Sequence, residues 1–322
     1  MSNLPGGTEP WLAIVNPASG NSSRRAHWRA VEQALRASNL RLDTVETSGP
    51  RHGVEIARDA VVSGRRRILI AGGDGSAHEV VNGVMQSGAL AHEVTLALAP
   101  LGTGNDWARS LGVSGEPRAV AALLRSGRSV AHDVGSIEFA AASGTPPCWF
   151  INVAGAGYDA FVLSRLPLQT PSRLSYLRGA ISGLLQYRPP RFLIRTAARA
   201  FEERLWVAFV ANGRFCGNGM HVAPHARTDD GRLDVVAIAA LHPARVLARL
   251  PKLYRGTIAA DPAVRSFTTD RLHIDATPPA AVQADGQLVG STPVRFGVVP
   301  GALRVLAAPG AAGLVTPRDT SM

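Results

Sequence analysis

A chain of 322 residues, 46% apolar and 18% charged, is long enough for two domains and apolar enough to bury a core in each. Charges interrupt every apolar stretch well before the roughly eighteen residues that span a bilayer, MSNLPGGTEP lacks the pattern of a secretory signal, and two cysteines in no metal-ligand spacing exclude a disulfide framework and favour a cytosolic, thiol-reduced protein. The net charge of +10 rests almost wholly on arginine, which suggests anionic partners or reflects genome composition alone; with Lys252 the one lysine, a phosphate loop of the G-x-x-x-x-G-K-S/T kind is excluded.

In chain order, WLAIV (11–15) reads as a buried strand that ends in the turn Asn16-Pro17-Ala18-Ser19-Gly20. Trp28, Val31 and Leu35 share one face of a helix over 22–38, residues 40–46 return to strand character, and Val54, Ala57 and Val61 mark a second helix that stops at Gly64. ILIA (68–71), a glycine loop with its helix, VTLALA (94–99) and a second loop at 100–105 follow. Strand and helix alternating over short links predict a parallel sheet covered by helices on both faces. Beyond about residue 135 strands dominate: WFINVAG (149–155), RLWVAFVANG (204–213), LDVVAIA (233–239), RLHIDA (271–276), AAVQADG (280–286) and ALRVLAA (302–308). Helix-like segments remain only near 159–187 and 243–256. The expected organisation is an α/β domain over 10–135, an antiparallel β-sandwich over 136–308 and a tail at 309–322.

Gly72-Gly73-Asp74-Gly75-Ser76 lies between strand and helix, at the carboxyl edge of the sheet where open α/β folds bind ligands. Glycines there let backbone N–H groups approach a phosphate, and the helix N-terminus adds partial positive charge. A bare carboxylate repels phosphate, so Asp74 points to magnesium or to base chemistry. Ser76 and Glu79 have capping-box spacing, which by itself needs no site. Pro100 to Asp106 repeats the arrangement, with Thr103 supplying a hydroxyl, Asn105 a cap and Asp106 a second carboxylate. With the loop at 16–20, three glycine-bearing loops converge on one rim, a geometry suited to a nucleoside triphosphate held by backbone dipoles instead of lysine.

N-P-x-S-G at 16–20, G-G-D-G-S-x-x-E-V-x-N-G at 72–83 and P-x-G-T-x-N-D at 100–106 resemble the diacylglycerol kinase-type catalytic domain, whose superfamily of lipid kinases also holds sphingosine and ceramide kinases. The resemblance continues through Gly155-x-Gly157-Tyr158-Asp159-Ala160, Asn212-Gly213, Asp229 to Asp234 and Ala284-Asp285-Gly286, in order along nearly the whole chain. It implies an α/β domain of the NAD kinase/phosphofructokinase type followed by the β-sandwich. It implies an ATP-dependent kinase of diacylglycerol or a related lipid, with ATP and Mg²⁺ in the cleft between the domains. By the same resemblance Asn16, Pro17, Ser19, Gly20 and Thr47 line the nucleotide pocket, Gly72, Gly73, Asp74, Gly75, Ser76 and Glu79 hold the triphosphate, and Thr103, beside Asn105 and Asp106, contacts it. The magnesium ligands it implies are the Asp230 side chain and the backbone carbonyls of Arg227 and Arg232; on its own, 229–231 reads as an acidic turn. One departure is Gln287, which stands where the family has the glutamate of D-G-E, its assigned proton acceptor. Glutamine takes no proton near neutral pH. Three readings stay open: Asp285 or Asp74 activates the hydroxyl, positioning and metal ions suffice for a loose transition state, or activity is weak or absent.

From Ala160 to Phe201 seven arginines occur without one acid, among them Arg165, Arg173, Arg178 and Arg191, interleaved with leucines. HPARVLARLPKLYRG (242–256) sets Arg245, Arg249 and Lys252 beside Val246, Leu250 and Leu253. Such segments lie on anionic lipid, or form solvated helices whose arginine stems cover apolar surface. The expected partners are a lipid substrate, the anionic inner face of the cytoplasmic membrane and a second copy of the chain. Aromatics at 6%, with no recognition motif, argue against nucleic acid. Two alternatives remain: a soluble-metabolite kinase of the NAD kinase type, which shares GGDG, and a nucleotide-binding lipid sensor that lost its base at Gln287.

Overall fold

Aliphatic runs bounded by turn residues become the strands of a parallel sheet. The computed structural model describes residues 9–17, 22–140, 144–165 and 183–308. The chain divides into two units, the first taking the described residues up to Val134, Arg227–Asp230 and those from Pro300, the second Gly135–Ala226 and Gly231–Val299.

In the first unit β1 (Trp11–Val15), β2 (Leu42–Glu46), β3 (Arg67–Gly72), β4 (Thr95–Pro100) and the end of β17 (Val294–Ala307) pair in the order β17-β4-β3-β1-β2, all parallel. Side chains alternate along each strand. Ala13, Leu69 and Ala97 therefore meet Trp28, Val31 and Leu35 of α1 (Ser22–Ala37) and Val120 and Leu124 of α5 (Pro117–Ser126). Helices α2 (His52–Val62) and α3 (Asp74–Gln86) pack on one another, with Gly83 so close that a Cβ there would lie 2.2 Å from the Val54 carbonyl. The short α4 (Asp106–Ser110) follows β4. Strands β1, β3 and β4 each run on toward a helix from their carboxyl ends, so residues 16 and 17, 72–76 and 100–106 belong to one rim.

The second unit is antiparallel. β15 (Ala281–Ala284) joins β16 (Gln287–Ser291) to β7 (Val153–Gly157), and β7 pairs with β9 (Ala200–Ala211). The first part of β9 pairs with β8 (Arg191–Arg195), which leads to β14 (Arg271–Thr277) and the start of β17; its second part pairs with β12 (Leu233–Ala239), which carries β13 (Val264–Thr269). β5 (Arg128–Phe139) carries β6 (Cys148–Phe150). Phe150, Phe192, Ile194, Val210, Val235 and Phe296 form the core between the layers. Outside it lie α6 (Tyr158–Leu163), the hairpin β10–β11 (Phe215–Cys216, Met220–His221), α7 (Pro243–Leu247) and α8 (Leu250–Arg255).

Sequence and structure differ in three places. WFINVAG is two strands, because the N–H groups of residues 151–153 turn to a carboxylate described below. β8 lies inside the basic run: Phe192 and Ile194 are buried while Arg191 and Arg195 are exposed, and Leu193 on the arginine face hides the strand alternation. The stretch 302–307, read as part of the β domain, pairs with β4 of the first unit. No helix among the described residues is long and apolar enough to cross a membrane.

Candidate active site at the rim of the parallel sheet

The glycine hairpins are held to one another by side chains reaching across to backbone. Helix α3 begins at Asp74 behind an extended Gly73, so Ser76 sits within the first turn rather than ahead of it. Its Oγ accepts a hydrogen bond from Asn16 Nδ2 at 3.1 Å, tying the first loop to α3. The capping box is therefore not formed. Glu79 instead accepts the N–H groups of Arg51 (2.9 Å) and Gly53 (3.0 Å), at the start of α2. That helix needs the help, because Arg51 is left-handed (φ 65°) and gives it no side-chain cap.

Asp74 does for α4 what Glu79 does for α2. Its Oδ2 accepts the Asp106 N–H at 3.0 Å and its Oδ1 the Trp107 N–H at 3.1 Å. Asn105, expected as the cap, occupies the N-cap position with φ 51° and makes no cap bond. Its amide closes instead on Gly102, accepting that N–H at 3.0 Å and donating to its carbonyl at 2.8 Å. The hairpins approach so closely that a Cβ on Gly102 would lie 2.6 Å from Gly73 Cα. Mutual packing alone thus requires glycine at both positions. The space beside Gly73, Asp74 and Trp107 is about 10 Å³, at most one water's worth.

Of the other expected nucleotide contacts, Thr47 is buried with its N–H donated to the Val15 carbonyl at 2.8 Å, and Thr103 is exposed. Pro17 and Gly75 are half-buried, Asp106 is buried, and Ser19 and Gly20 lie outside the described residues. Beside the loops a cleft of about 210 Å³ opens among Asn16, Trp28, Leu101, Glu46 and the arginines 24, 25 and 29. Sequence reading passed over these arginines; the available signal was their position within two turns of the N-P-x-S-G loop.

In the second unit Asp285 (φ 48°) and Gly286 (φ 83°) form the two-residue turn of the β15–β16 hairpin, the left-handed pair that Asp-Gly favours. The Asp285 carboxylate accepts the N–H groups of Ile151 (2.9 Å), Asn152 (2.9 Å) and Val153 (3.3 Å). Gln287, first in β16, is exposed. Gln283 Nε2 donates to Asp159 Oδ2 at 2.9 Å, and burial pushes the Asp159 carboxyl up to about 6.

Asp230 is exposed. The Arg227 guanidinium turns to Asp229 (3.2 Å and 3.4 Å), and that of Arg232 to the hydroxyl and carbonyl of Thr268 (3.0 Å and 3.3 Å). No group of three or more His, Cys, Asp or Glu residues able to hold a metal occurs among the described residues. The donors that the family resemblance implies, one carboxylate and two carbonyls, are all oxygen, the kind magnesium accepts.

The basic face expected over 242–256 is partly spoken for. Lys252 Nζ (2.6 Å) and Arg249 Nε (3.0 Å) both bind Asp261, which is 2% exposed. Lys252 beside it holds that carboxyl down at about 2. Leu253 is buried in the same packing, so this stretch closes onto its own domain through two of its cations. In the earlier basic run, Arg191 pairs with Glu202 at 2.9 Å, and Arg173 and Arg178 lie outside the described residues.

Residues 10–137 match the diacylglycerol kinase catalytic domain, and residues 152–307 match the YegS C-terminal NAD kinase beta sandwich-like domain. A probable lipid kinase YegS-like of Pseudomonas aeruginosa is 30% identical over 298 residues, 91% of this chain and 92% of that one. A diacylglycerol kinase of Mycobacterium tuberculosis is 29% identical over 301 residues, 91% of this chain and 94% of its own. The crystal structure of a putative diacylglycerol kinase from Bacillus anthracis shares the fold with a TM-score of 0.78 at 20% identity, covering 97% of this chain and 100% of that one.

Proposed function

We propose, since the chain belongs to the diacylglycerol kinase-type family of lipid kinases, that it transfers the γ-phosphoryl group of ATP to the free hydroxyl of diacylglycerol or a related long-chain lipid at a membrane surface. Family membership makes it a phosphotransferase with an alcohol acceptor. The observation that supports a triphosphate at the rim is its rigidity: Asn16, Asp74 and Glu79 lock four elements together through five hydrogen bonds, four of them to backbone N–H groups. Phosphoryl transfer relies on positioned charge more than on covalent help, so fixed loops are what the reaction asks of this unit.

In this reading Asn16, Pro17, Ser19, Gly20 and Thr47 face the nucleotide, and Gly72 to Ser76 with Thr103 face its phosphates. Asp74, Asn105 and Glu79 hold those loops in place. Asp230 and the carbonyls of Arg227 and Arg232 would hold Mg²⁺, which when bound neutralises charge on the transferring group. Asp285 has three amide donors on its carboxylate, which suits a positioning residue better than a proton acceptor. Hydroxyl activation in this chain then rests on alignment and electrostatics, as a loose transition state permits.

Transfer of labelled γ-phosphate to a panel of lipids in mixed micelles tests the assignment. A labelled phospholipid from diacylglycerol is expected. No product from any lipid, with robust turnover of a soluble alcohol, overturns it.

A further inference from the structure

The lone lysine and the filled space between the hairpins leave open what neutralises a triphosphate here. We propose that Arg24, Arg25 and Arg29, on the α1 wall of the cleft beside the rim, grip the polyphosphate of the nucleotide. The proposal rests on the kinase reading and adds to it residues that the loop motifs do not contain.

Space comes first. The gap at the Gly73–Asp74 turn is about 10 Å³, whereas the cleft measures about 210 Å³. Asn16 joins them: it lines the cleft, and its Nδ2 is bonded to Ser76 Oγ at 3.1 Å. An anion in the cleft thus lies against the loop that braces the glycine hairpin.

Charge comes second. Three arginines line the cleft against one acid, Glu46. Among the described residues none of these four side chains makes a hydrogen bond or an ion pair, whereas Arg36, Arg58, Arg65 and Arg66 of the same unit all do. Arg25 and Arg29 are exposed and Arg24 half-buried, so their N–H groups stand available. Arg25 and Arg29 are one turn apart on one helical face, which sets two planar forks side by side. Each fork matches phosphate oxygens in a way a single ammonium does not. Trp28, Val15 and Leu101 give the same cleft an apolar floor, suited to the less charged part of the nucleotide.

The test is calorimetric binding to the full chain, without lipid, of ATP, ADP, AMP and inorganic tripolyphosphate in the presence of magnesium. Affinity is expected to fall from ATP to AMP, with tripolyphosphate competing for the site. Arg24→Ala, Arg25→Ala and Arg29→Ala should each weaken ATP about tenfold, as loss of a charge-assisted bond does, and barely alter AMP. Glu46→Gln, removing the opposing charge, should tighten ATP roughly threefold, a sign that mere damage to the fold would not produce. Arginine variants with wild-type melting temperature and wild-type ATP affinity overturn the proposal. So do variants that lose only binding to phosphatidylglycerol vesicles, which would make the trio a lipid-facing surface. The two readings fail separately: weakened ATP binding without any lipid product sinks the lipid assignment alone, and normal lipid product with unchanged ATP affinity sinks this one alone.

Discussion

Replacing Asp285 by asparagine separates an anchor from a base. In the native chain Oδ2 serves the Ile151 N–H at 2.9 Å, while Oδ1 serves those of Asn152 and Val153 at 2.9 Å and 3.3 Å. Residues 151–153 are all buried, at 1%, 4% and 1% exposure, so water does not replace a lost partner. Asparagine keeps one oxygen. Placed against Asn152 and Val153, it turns its NH₂ on Ile151 and leaves that donor unpaired, a cost of about 1–3 kcal/mol. Alanine orphans all three donors; at the same rate this is roughly 3–9 kcal/mol, comparable with the whole stability of a domain. Urea unfolding followed by circular dichroism should show Asp285→Asn less stable by about 2 kcal/mol. Phosphoryl transfer at saturating ATP and lipid should fall less than about tenfold if the carboxylate is an anchor, whereas loss of a general base costs about 10²–10⁴. Unchanged stability together with a fall of more than about a hundredfold in kcat would refute the anchoring argument.

Four further outcomes are expected. Glu79→Ala should cost about 1–2 kcal/mol through the uncapped start of α2, read by thermal unfolding, with a raised KM for ATP. Gly102→Ala, whose Cβ would meet Gly73 Cα at 2.6 Å, should destabilise by about 1–3 kcal/mol, whereas Gly286→Ala at φ 83°, with open space around it, carries only backbone strain of about 1–2 kcal/mol; the discriminating readout is ATP affinity, reduced in the first variant alone. Asp159 rises from 3.8 to about 6 in the native state, which therefore binds more protons than the unfolded chain between those values, and stability falls as pH climbs through that window. Asp159→Asn should remove the slope and exceed the native chain by up to about 3 kcal/mol near neutrality but not near pH 4, measured by urea unfolding at both pH values. Gln287→Glu, at an exposed position, should leave stability within about 0.5 kcal/mol; a large rise in kcat would mark a chain that had lost its base, and no change would mark catalysis by positioning.

The parallel sheet was readable because β1, β3 and β4 are aliphatic runs followed closely by a glycine or asparagine turn, although the edge strand β2 is mostly polar and exposed. Local spacing misled where a distant partner decided the outcome. Ser76 and Glu79 have the separation of a capping box, yet Glu79 serves a helix some 26 residues upstream, because α2 starts with a left-handed arginine and has no acceptor of its own. Arg249 and Lys252 look like a lipid-facing stripe until Asp261, nine or more residues on, is brought beneath them. β8 was concealed for a different reason: Leu193 stands between Arg191 and Arg195 on its outer face, so Phe-Leu-Ile reads as an unbroken apolar run and masks a period of two. The loops carrying the candidate site were visible as motifs. The reason for their glycines was not, since the Gly73–Gly102 contact joins residues from separate turns.

The pairing of Arg304 and Val305 with Thr95 and Leu96 bears on how the protein is made. Leu306 belongs to the core under α1 and α5, and the Gly301 N–H is held by Asp133 at 2.7 Å. The unit built mainly from residues before Val134 is therefore finished by residues translated long after it. Until they leave the ribosome, β4 presents a bare edge, a template for pairing with a stranger. A fragment cut at the apparent boundary near residue 134 would keep that edge open, and aggregation rather than an isolated nucleotide-binding module is what such a truncation should yield.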